Sequence, residues 1–359
     1  MTTTATQRAD LSEIFETQAY HCRGLGSPFT ADLCLLFAKH LDEETAVGRH
    51  VLHWPGRASY RADAVPLRLC GALHALTLTD QSPNLKAHYP DLSQDEQTIA
   101  RTKVPDWSVI HTALVEHETF ILDWMTSPPQ TNEVRRANGI WPILQTVATL
   151  SNLPMDLWEI GCSGGLNLRL GHFCYRHDGM VSGEPDSAVA LEPEWRGAPP
   201  PTAVPEIDAL KGCDLNPLDP STPGDRLRLL AYLWADQKHR VERTSAAIDI
   251  ALVNPAEIAR EDAIAWLKQQ LPDRRDDRVT VIYTTIAWQY LPDAAKAEGE
   301  ALIEAAGRNT KAPLAFIQME GDGQSPGAAL SLKYWPDAID TIVGRVDFHG
   351  RWVDWQGLR

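Results

Sequence analysis

Apolar positions in the first 150 or so residues recur at helical spacing. Leu11, Ile14, Phe15, Gln18, Ala19 and Cys22 trace one face, and Ser27-Pro28 ends that segment ahead of a second helix, roughly Thr30 to Leu41. A third helix opens at Pro66 and carries Leu67, Leu69, Cys70, Leu73 and Leu76 inward. Ser93-Gln94-Asp95-Glu96 has the spacing of a capping box. Trp107, Ile110, Leu114, His117, Ile121 and Trp124 then predict one long amphipathic helix. A proline break at Pro128-Pro129 precedes a capped helix start, and the helix that follows runs to Leu150 with a kink expected at Pro142.

From residue 156 the texture changes to short apolar runs alternating with helical periods, which predicts a parallel sheet. The expected strands are 156–160, 207–213, 256–260, 279–285 and 313–319, with helices near 166–171, 226–252 (broken at Asp236), 262–271 and 293–306. Ala329 to Tyr334, Thr341 to Phe348 and Arg351 to Trp355 read as antiparallel strands joined by turns at Trp335-Pro336-Asp337 and His349-Gly350. Residues 173–205 are rich in Gly and Pro and lack a helical period, so a hairpin or lid is expected there. The pattern predicts an α/β protein, with an N-terminal helical domain over 1–130 and a sheet domain over 131–359.

Composition narrows the class. The formal net charge is −15, and no run of Lys or Arg could follow a phosphate backbone, which argues against nucleic acid and anionic membrane as partners. Cys22, Cys34, Cys70, Cys162, Cys174 and Cys213 lie in apolar segments without a C-x-x-C pair, which suits buried thiols in a reducing cytoplasm better than disulfides or a metal site. No secretory signal or membrane-spanning segment is read from the chain.

The chemistry concentrates at one junction, Asp156-Leu157-Trp158-Glu159-Ile160-Gly161-Cys162-Ser163-Gly164-Gly165-Leu166-Asn167-Leu168. An apolar run, an acidic residue, a glycine turn and a helical period describe a strand passing through a tight loop into a helix, where nucleotides sit in parallel sheets. The same letters spell G-x-S-x-G, the nucleophile elbow of serine hydrolases, with Ser163 at its centre. Later strand ends carry Asp214 in Gly212-Cys213-Asp214-Leu215-Asn216-Pro217, Asp262 in Glu261-Asp262-Ala263, and Glu320. A carboxylate at the second strand end can accept both hydroxyls of a ribose, a role for which a hydrolase has no use. Asp214 and Asp262 have a plainer alternative as caps of the turn and helix that follow them. Arg135 and Arg136 lie near a helix start, where the dipole does not help a cation, so a salt bridge or a ligand carboxylate must account for them. Trp288, Gln289 and Tyr290 follow the fourth strand and are candidates either for the core or for a substrate pocket.

Glu159-Ile160-Gly161-Cys162-Ser163-Gly164-Gly165 resembles the first motif of class I S-adenosylmethionine-dependent methyltransferases, with Gly212 to Pro217 similar to their ribose-binding segment and Glu261-Asp262-Ala263 to their adenine loop. Over nearly the whole chain, the ordered set QTNEV, EIGCSGGLNL, EWRG, GCDLNPLD, WQYLP and HGRWVDW is similar to a bacterial family of unknown function. The methyltransferase resemblance implies a Rossmann-like sheet and an S-adenosylmethionine site. It would be built from Glu159, Gly161, Ser163, Gly165, Asn167, Asp214, Asn216, Asp262 and Arg135, with Trp288 and Gln289 in the substrate pocket and Tyr290 and Glu320 as catalytic candidates. Three departures stand out: Ser163 replaces the middle glycine, the 173–205 insertion stretches the loop-to-Asp214 gap, and no helix follows Glu320. The D/N-P-P-Y/F motif of amino-directed nucleic-acid methyltransferases is absent, which points to a small-molecule acceptor. The expected activity is methyl transfer in a cytoplasmic enzyme, for which holding donor and acceptor together matters more than a strong base. A serine hydrolase using Ser163, and a fold that binds a nucleotide or a partner without turnover, are the alternatives.

Overall fold

The computed structural model describes residues 5–59, 62–309 and 312–358. It divides into two compact units: Met1–Thr131 with Pro223–Glu242, and Asn132–Thr222 with Arg243–Arg359. The first boundary falls at the proline break, but residues 223–242, which the sequence pattern assigns to the sheet domain, belong with the helices.

The first unit is helical. Helices Ala5–Gly24, Pro28–His40 and Val65–Leu78 pack through Phe15, Phe37, Leu69, Leu73 and Leu76, all at most 1% exposed. Ser27 caps the second of these, and Asp95 caps the short helix Glu96–Ala100 where the capping box is expected. One expected helix is divided in two, and another breaks at Asp236 as expected. The Trp107-to-Trp124 stripe breaks at His117 into Trp107–Glu116 and Glu118–Met125, so the apolar face carries on while the backbone does not. The 226–252 segment forms Pro223–Ala231 and Lys238–Val253. In the gap between them Asp236 accepts from the Ser27 hydroxyl and, at 2.9 Å, from the Phe29 N–H. A residue far along the chain thus caps the helix that starts at Pro28.

The second unit is a nine-stranded, mostly parallel sheet with helices. Its strands are β1 (Met155–Ile160), β2 (Cys174–His177), β3 (Met180–Gly183), β4 (Ala190–Leu191), β5 (Glu194–Gly197), β6 (Ile207–Asp214), β7 (Glu257–Arg260), β8 (Val279–Thr285), β9 (Leu314–Glu320), β10 (Ala328–Trp335), β11 (Ile339–Val346) and β12 (Trp352–Trp355). The sheet order is β5-β12-β11-β10-β9-β8-β1-β6-β7. The five parallel strands β7, β6, β1, β8 and β9 are thus in the order 3-2-1-4-5 by chain position, reversing direction at β1. The tail follows as an antiparallel meander that packs directly on β9, without an intervening helix.

Helices Ala263–Gln270 and Asp293–Arg308 pack Ile264, Leu267 and Ile303 against Trp158, Ile160, Ile282 and Phe316 on one face of the sheet. The buried helix Ala137–Leu150, with Pro142 inside it, lies against the β9–β11 region. The helix expected at 166–171 is a 3-10 segment, Leu166–His172, in place of an α-helix. The 173–205 segment contains the hairpin, the first of its two expected forms, as β2 and β3. Its β2, β3 and β4 form a small separate sheet, and β5 adds to the edge of the large one beside β12. Tyr175 stacks on Trp141 at 4.7 Å and His177 on Trp195 at 4.7 Å, and Phe173, Cys174 and Tyr175 are wholly buried. Aromatic burial on this scale holds the insertion to the sheet unit.

The six cysteines are buried and unbridged. Among the described residues no helix is long and apolar enough to cross a membrane, and no group of three or more His, Cys, Asp or Glu could hold a metal.

Candidate functional site

The loop after β1 is tied to the ends of its neighbours by backbone hydrogen bonds. Gly161 N–H and Cys162 N–H both donate to the Cys213 carbonyl at the end of β6, at 2.9 and 3.1 Å. Ser163 N–H donates to Asp214 Oδ2 at 2.9 Å, and the Ser163 carbonyl accepts from Leu218 N–H at 3.2 Å. Asp214 Oδ1 accepts from Asn216 N–H at 2.9 Å, and Asn216 Oδ1 in turn accepts from Arg260 at 2.8 Å. Asp214 therefore caps its own turn and fastens the glycine loop to β6, with acceptor capacity left on both oxygens.

Gly161 and Gly165 have φ of +72° and +64°, and a Cβ at either would collide, with Ala287 at Gly161 and with Ile258 at Gly165. The protein's own packing is enough to require glycine at both places. Ser163 also sits at a left-handed φ, +53°, and so does Ile286 after β8. A β-branched residue rarely adopts that conformation, so backbone strain is stored on both sides of the point where the strand order reverses.

A crossbar from residues 132–138 grips this rim from the other side. Asn132 Oδ1 accepts from Leu166 N–H at 2.8 Å, and the Glu133 carbonyl accepts from Asn167 Nδ2 at 3.2 Å. Arg136 donates to the Thr285 carbonyl at 3.0 Å and to the Phe348 carbonyl at 3.2 Å, while Asn138 donates to the Gly350 carbonyl at 2.9 Å. QTNEV, EIGCSGGLNL, GCDLNPLD and the HGRWVDW turn are brought together here, WQYLP is tied to the end of β9, and EWRG pairs with HGRWVDW as β5 and β12.

Buried at the loop are Glu159, Ser163, Asn167 and Tyr283: Ser163 Oγ and Asn167 Oδ1 have no hydrogen-bond partner, and the Glu159 carboxyl and the Tyr283 hydroxyl interact with each other. Glu159 and Tyr283 are opposite each other in the β1–β8 register and share a face, the one opposite Trp158 and Ile282. The four residues are 1%, 6%, 1% and 0% exposed. Burial pushes the Glu159 carboxyl up to about 8 against the pull of Tyr283, Arg169 and Arg136, with Asp214 adding to the rise. Burial also drives the Cys162 thiol far above its usual range, so it is no thiolate nucleophile.

Other expected site residues are placed differently. Glu320 clasps the loop after β8: Oε1 accepts from the Thr284 hydroxyl at 2.9 Å and from Ala287 N–H and Trp288 N–H at 3.0 Å each, and Oε2 accepts from Gln289 N–H at 3.2 Å. Four donors on one carboxylate fit a fastening role better than the catalytic one expected of it. Tyr290 is 75% exposed, and Trp288 is buried and packs on Phe316, the core alternative of its two readings. Gln289 accepts from Gly321 N–H at 2.9 Å. Asp262 Oδ1 caps the helix Ala263–Gln270 through Ile264 and Ala265 N–H, the plainer of its two readings. Arg135 lies 3.6 Å from Glu133, the salt-bridge alternative.

The sequence pattern gives no role to Asn132, Glu133, Arg169 or Tyr283. QTNEV is visible as a motif, but its grip on the loop is a tertiary contact. Tyr283 sits in an ordinary strand run, Val281-Ile282-Tyr283-Thr284. A cavity of about 620 Å³ lies away from the rim, lined by Leu168, His172, Ile207, Leu210, Lys211 and Glu257. The expected site residues do not line it. It opens where the short 3-10 segment covers less of β6 than a crossover helix would.

The sheet and its loops define the class: an α/β protein with a glycine loop at the reversal point of a parallel array. The chain belongs to the bacterial family described as "Uncharacterized protein conserved in bacteria (DUF2332)", whose model matches residues 12–355. Searches of the curated proteins and of the solved structures found no match.

Proposed function

We propose that the rim at the ends of β1, β6 and β8 binds S-adenosylmethionine and that the protein transfers its methyl group to a small-molecule acceptor. The observation that carries this reading is a glycine loop fastened to Asp214, with the Ser163 hydroxyl and the Asn167 side-chain oxygen buried and unpartnered on it. Buried polar groups are ordinarily paired, so two on one loop call for a ligand or ordered water. The strand order 3-2-1-4-5 supports the reading, because ligands in such sheets bind where the order reverses.

On this reading Asp214 offers its remaining lone pairs to ribose hydroxyls, and Glu159, Ser163 and Asn167 meet the polar end of the cofactor. The bound cofactor supplies an electrophilic methyl group. Crossbar, clasp and glycine loop hold the geometry and exclude water, which is what in-line displacement needs most. Calorimetry with S-adenosylmethionine and S-adenosylhomocysteine tests the proposal; absence of binding by both at millimolar ligand overturns it.

One observation favours a serine hydrolase: Ser163 holds the strained φ of a nucleophile elbow. Its hydroxyl has no hydrogen-bonded histidine to take its proton, which is the component that chemistry needs first. Labelling of Ser163 by a fluorophosphonate would promote this second reading.

A further inference from the structure

Three of the six cysteines, Cys22, Cys34 and Cys70, meet in the core of the helical unit. They come from three helices: Cys22 from Ala5–Gly24, Cys34 from Pro28–His40 and Cys70 from Val65–Leu78. Cys34 Sγ lies 3.8 Å from Cys70 Sγ, close to van der Waals contact. Cys22 is a second neighbour of Cys34, and its sulfur accepts from Gln18 Nε2 at 3.3 Å. Alanine or valine fills a core position as well as cysteine does, so thiols in contact add reactivity to packing.

The two thiols of the close pair differ in access. Cys34 is wholly buried, whereas Cys70 keeps 7% of its surface and lines a cavity of about 20 Å³ together with Thr30, His74 and Tyr89. That volume admits a molecule little larger than water. The Tyr89 hydroxyl, on a residue of the same wall, is buried without a hydrogen-bond partner, so a small polar molecule held against Cys70 has a group to bond.

We propose that Cys70 and Cys34 form a dithiol site that reacts with hydrogen peroxide, Cys70 being oxidised first and Cys34 resolving it as a disulfide. The Cys70 thiolate attacks one peroxide oxygen: an S–O bond forms, the O–O bond breaks, and the departing hydroxide leaves as water with the proton that the thiol gave up. The Cys34 sulfur then attacks the Cys70 sulfur. An S–S bond forms, the S–O bond breaks, and the second hydroxide takes the Cys34 proton and leaves as water. Two thiols lose two electrons between them, and one peroxide is reduced to two waters. A disulfide needs about 2 Å between its sulfurs, so the pair closes by less than about 2 Å, within reach of side-chain rotation. Enclosure also shields the sulfenic acid from a second peroxide, which favours the disulfide over the sulfinic acid. The site belongs to the helical unit and does not depend on the cofactor reading.

The test is to treat the full-length protein with hydrogen peroxide at neutral pH, quench with catalase, alkylate under denaturing conditions and map the unreduced peptides by mass spectrometry. The count of alkylatable thiols should fall by two, with one cross-link, between the peptides of Cys34 and Cys70, and dithiothreitol should restore both. In Cys34→Ser the same treatment should leave Cys70 as a sulfenic acid that dimedone captures. In Cys70→Ser the loss of thiols should slow by about tenfold or more. The wild-type map decides the matter even where a variant fails to fold. Six intact thiols after an exposure that fully oxidises glutathione overturn the inference. So do a sulfinic acid on wild-type Cys70 without a cross-link, a Cys22–Cys34 product, and the scrambled pairs with Cys162, Cys174 or Cys213 that an unfolded chain would give.

Discussion

The two units put their buried polar groups to different uses. In the helical unit, Arg68 donates to the Asp63 and Met125 carbonyls at 2.6 and 2.8 Å, and its guanidinium lies 5.2 Å from the Trp54 ring centre. His74 Nδ1 lies 3.1 and 3.0 Å from the Ala231 and Leu233 carbonyls, and Asp236 holds Ser27 and Phe29. These groups are answered by the chain itself and join segments far apart in sequence. At the rim of the sheet unit, Ser163 and Asn167 on the glycine loop leave buried atoms unanswered, as Gln18 and Tyr89 do singly in the helical unit, and Glu159 is answered by Tyr283. Satisfied burial fastens a fold, whereas clustered unsatisfied burial marks a place that something else completes.

The largest expected effect is one the units share. Burial lowers both His74 and His177 from 6.5 to about 4, in the helical and the sheet unit respectively. A depressed histidine contributes stability that is present above the unfolded value and lost as pH falls towards the folded one. Each should therefore cost about 3 kcal/mol between pH 6.5 and 4. Thermal melts across that range check this, and a His74→Gln/His177→Gln double variant should show a shallower slope.

Next comes a pair of opposite sign. Asp236→Ala strands two donors and should destabilise by about 2–4 kcal/mol in urea titration. Glu159→Gln should stabilise the unliganded protein by about 2–4 kcal/mol at pH 8.5 and hardly at all at pH 5. The sign follows from the raised folded value: the wild type loses stability as pH rises from 4.5 towards 8, because only the unfolded carboxyl ionises freely. Destabilisation by Glu159→Gln at both pH values would erase the contrast between the units.

A smaller effect concerns ligand affinity. Asp214→Ala should weaken S-adenosylhomocysteine binding by about 1–3 kcal/mol, through a lost ribose contact and a loosened Ser163 N–H; unchanged affinity would remove Asp214 from the site. The smallest is Ser163→Gly. It relieves the left-handed φ while adding unfolded-state entropy, so stability should shift by less than about 1 kcal/mol. A total loss of activity in that variant with S-adenosylhomocysteine binding intact would favour the hydrolase reading.

Much of the scaffold was legible from the chain. The five parallel strands and the three tail strands are at or within two residues of the expected positions. The reason is local: alternating or unbroken apolar runs between turn residues leave few other ways to bury the same side chains. The glycine loop and the capping role of Asp262 were equally local, while the helix start read as a box from Ser93 is capped by Asp95. Placement of Trp288, Tyr290 and Glu320 was not legible, because strand-end position does not say which way a side chain turns. Trp288 turned into the core, Tyr290 into solvent, and Glu320 back onto the loop.

Sequence by itself determined the α/β texture, the helical start, the glycine junction and the acidic residues at successive strand ends. Only the tertiary structure decided that residues 223–242 join the helical unit, that the insertion is anchored by aromatic stacking, and that Glu159 meets Tyr283 beneath the loop. The physical reason is range. Period, turn chemistry and capping act over a few residues, whereas the pairing or stranding of a buried polar atom depends on segments that meet only once the chain has folded.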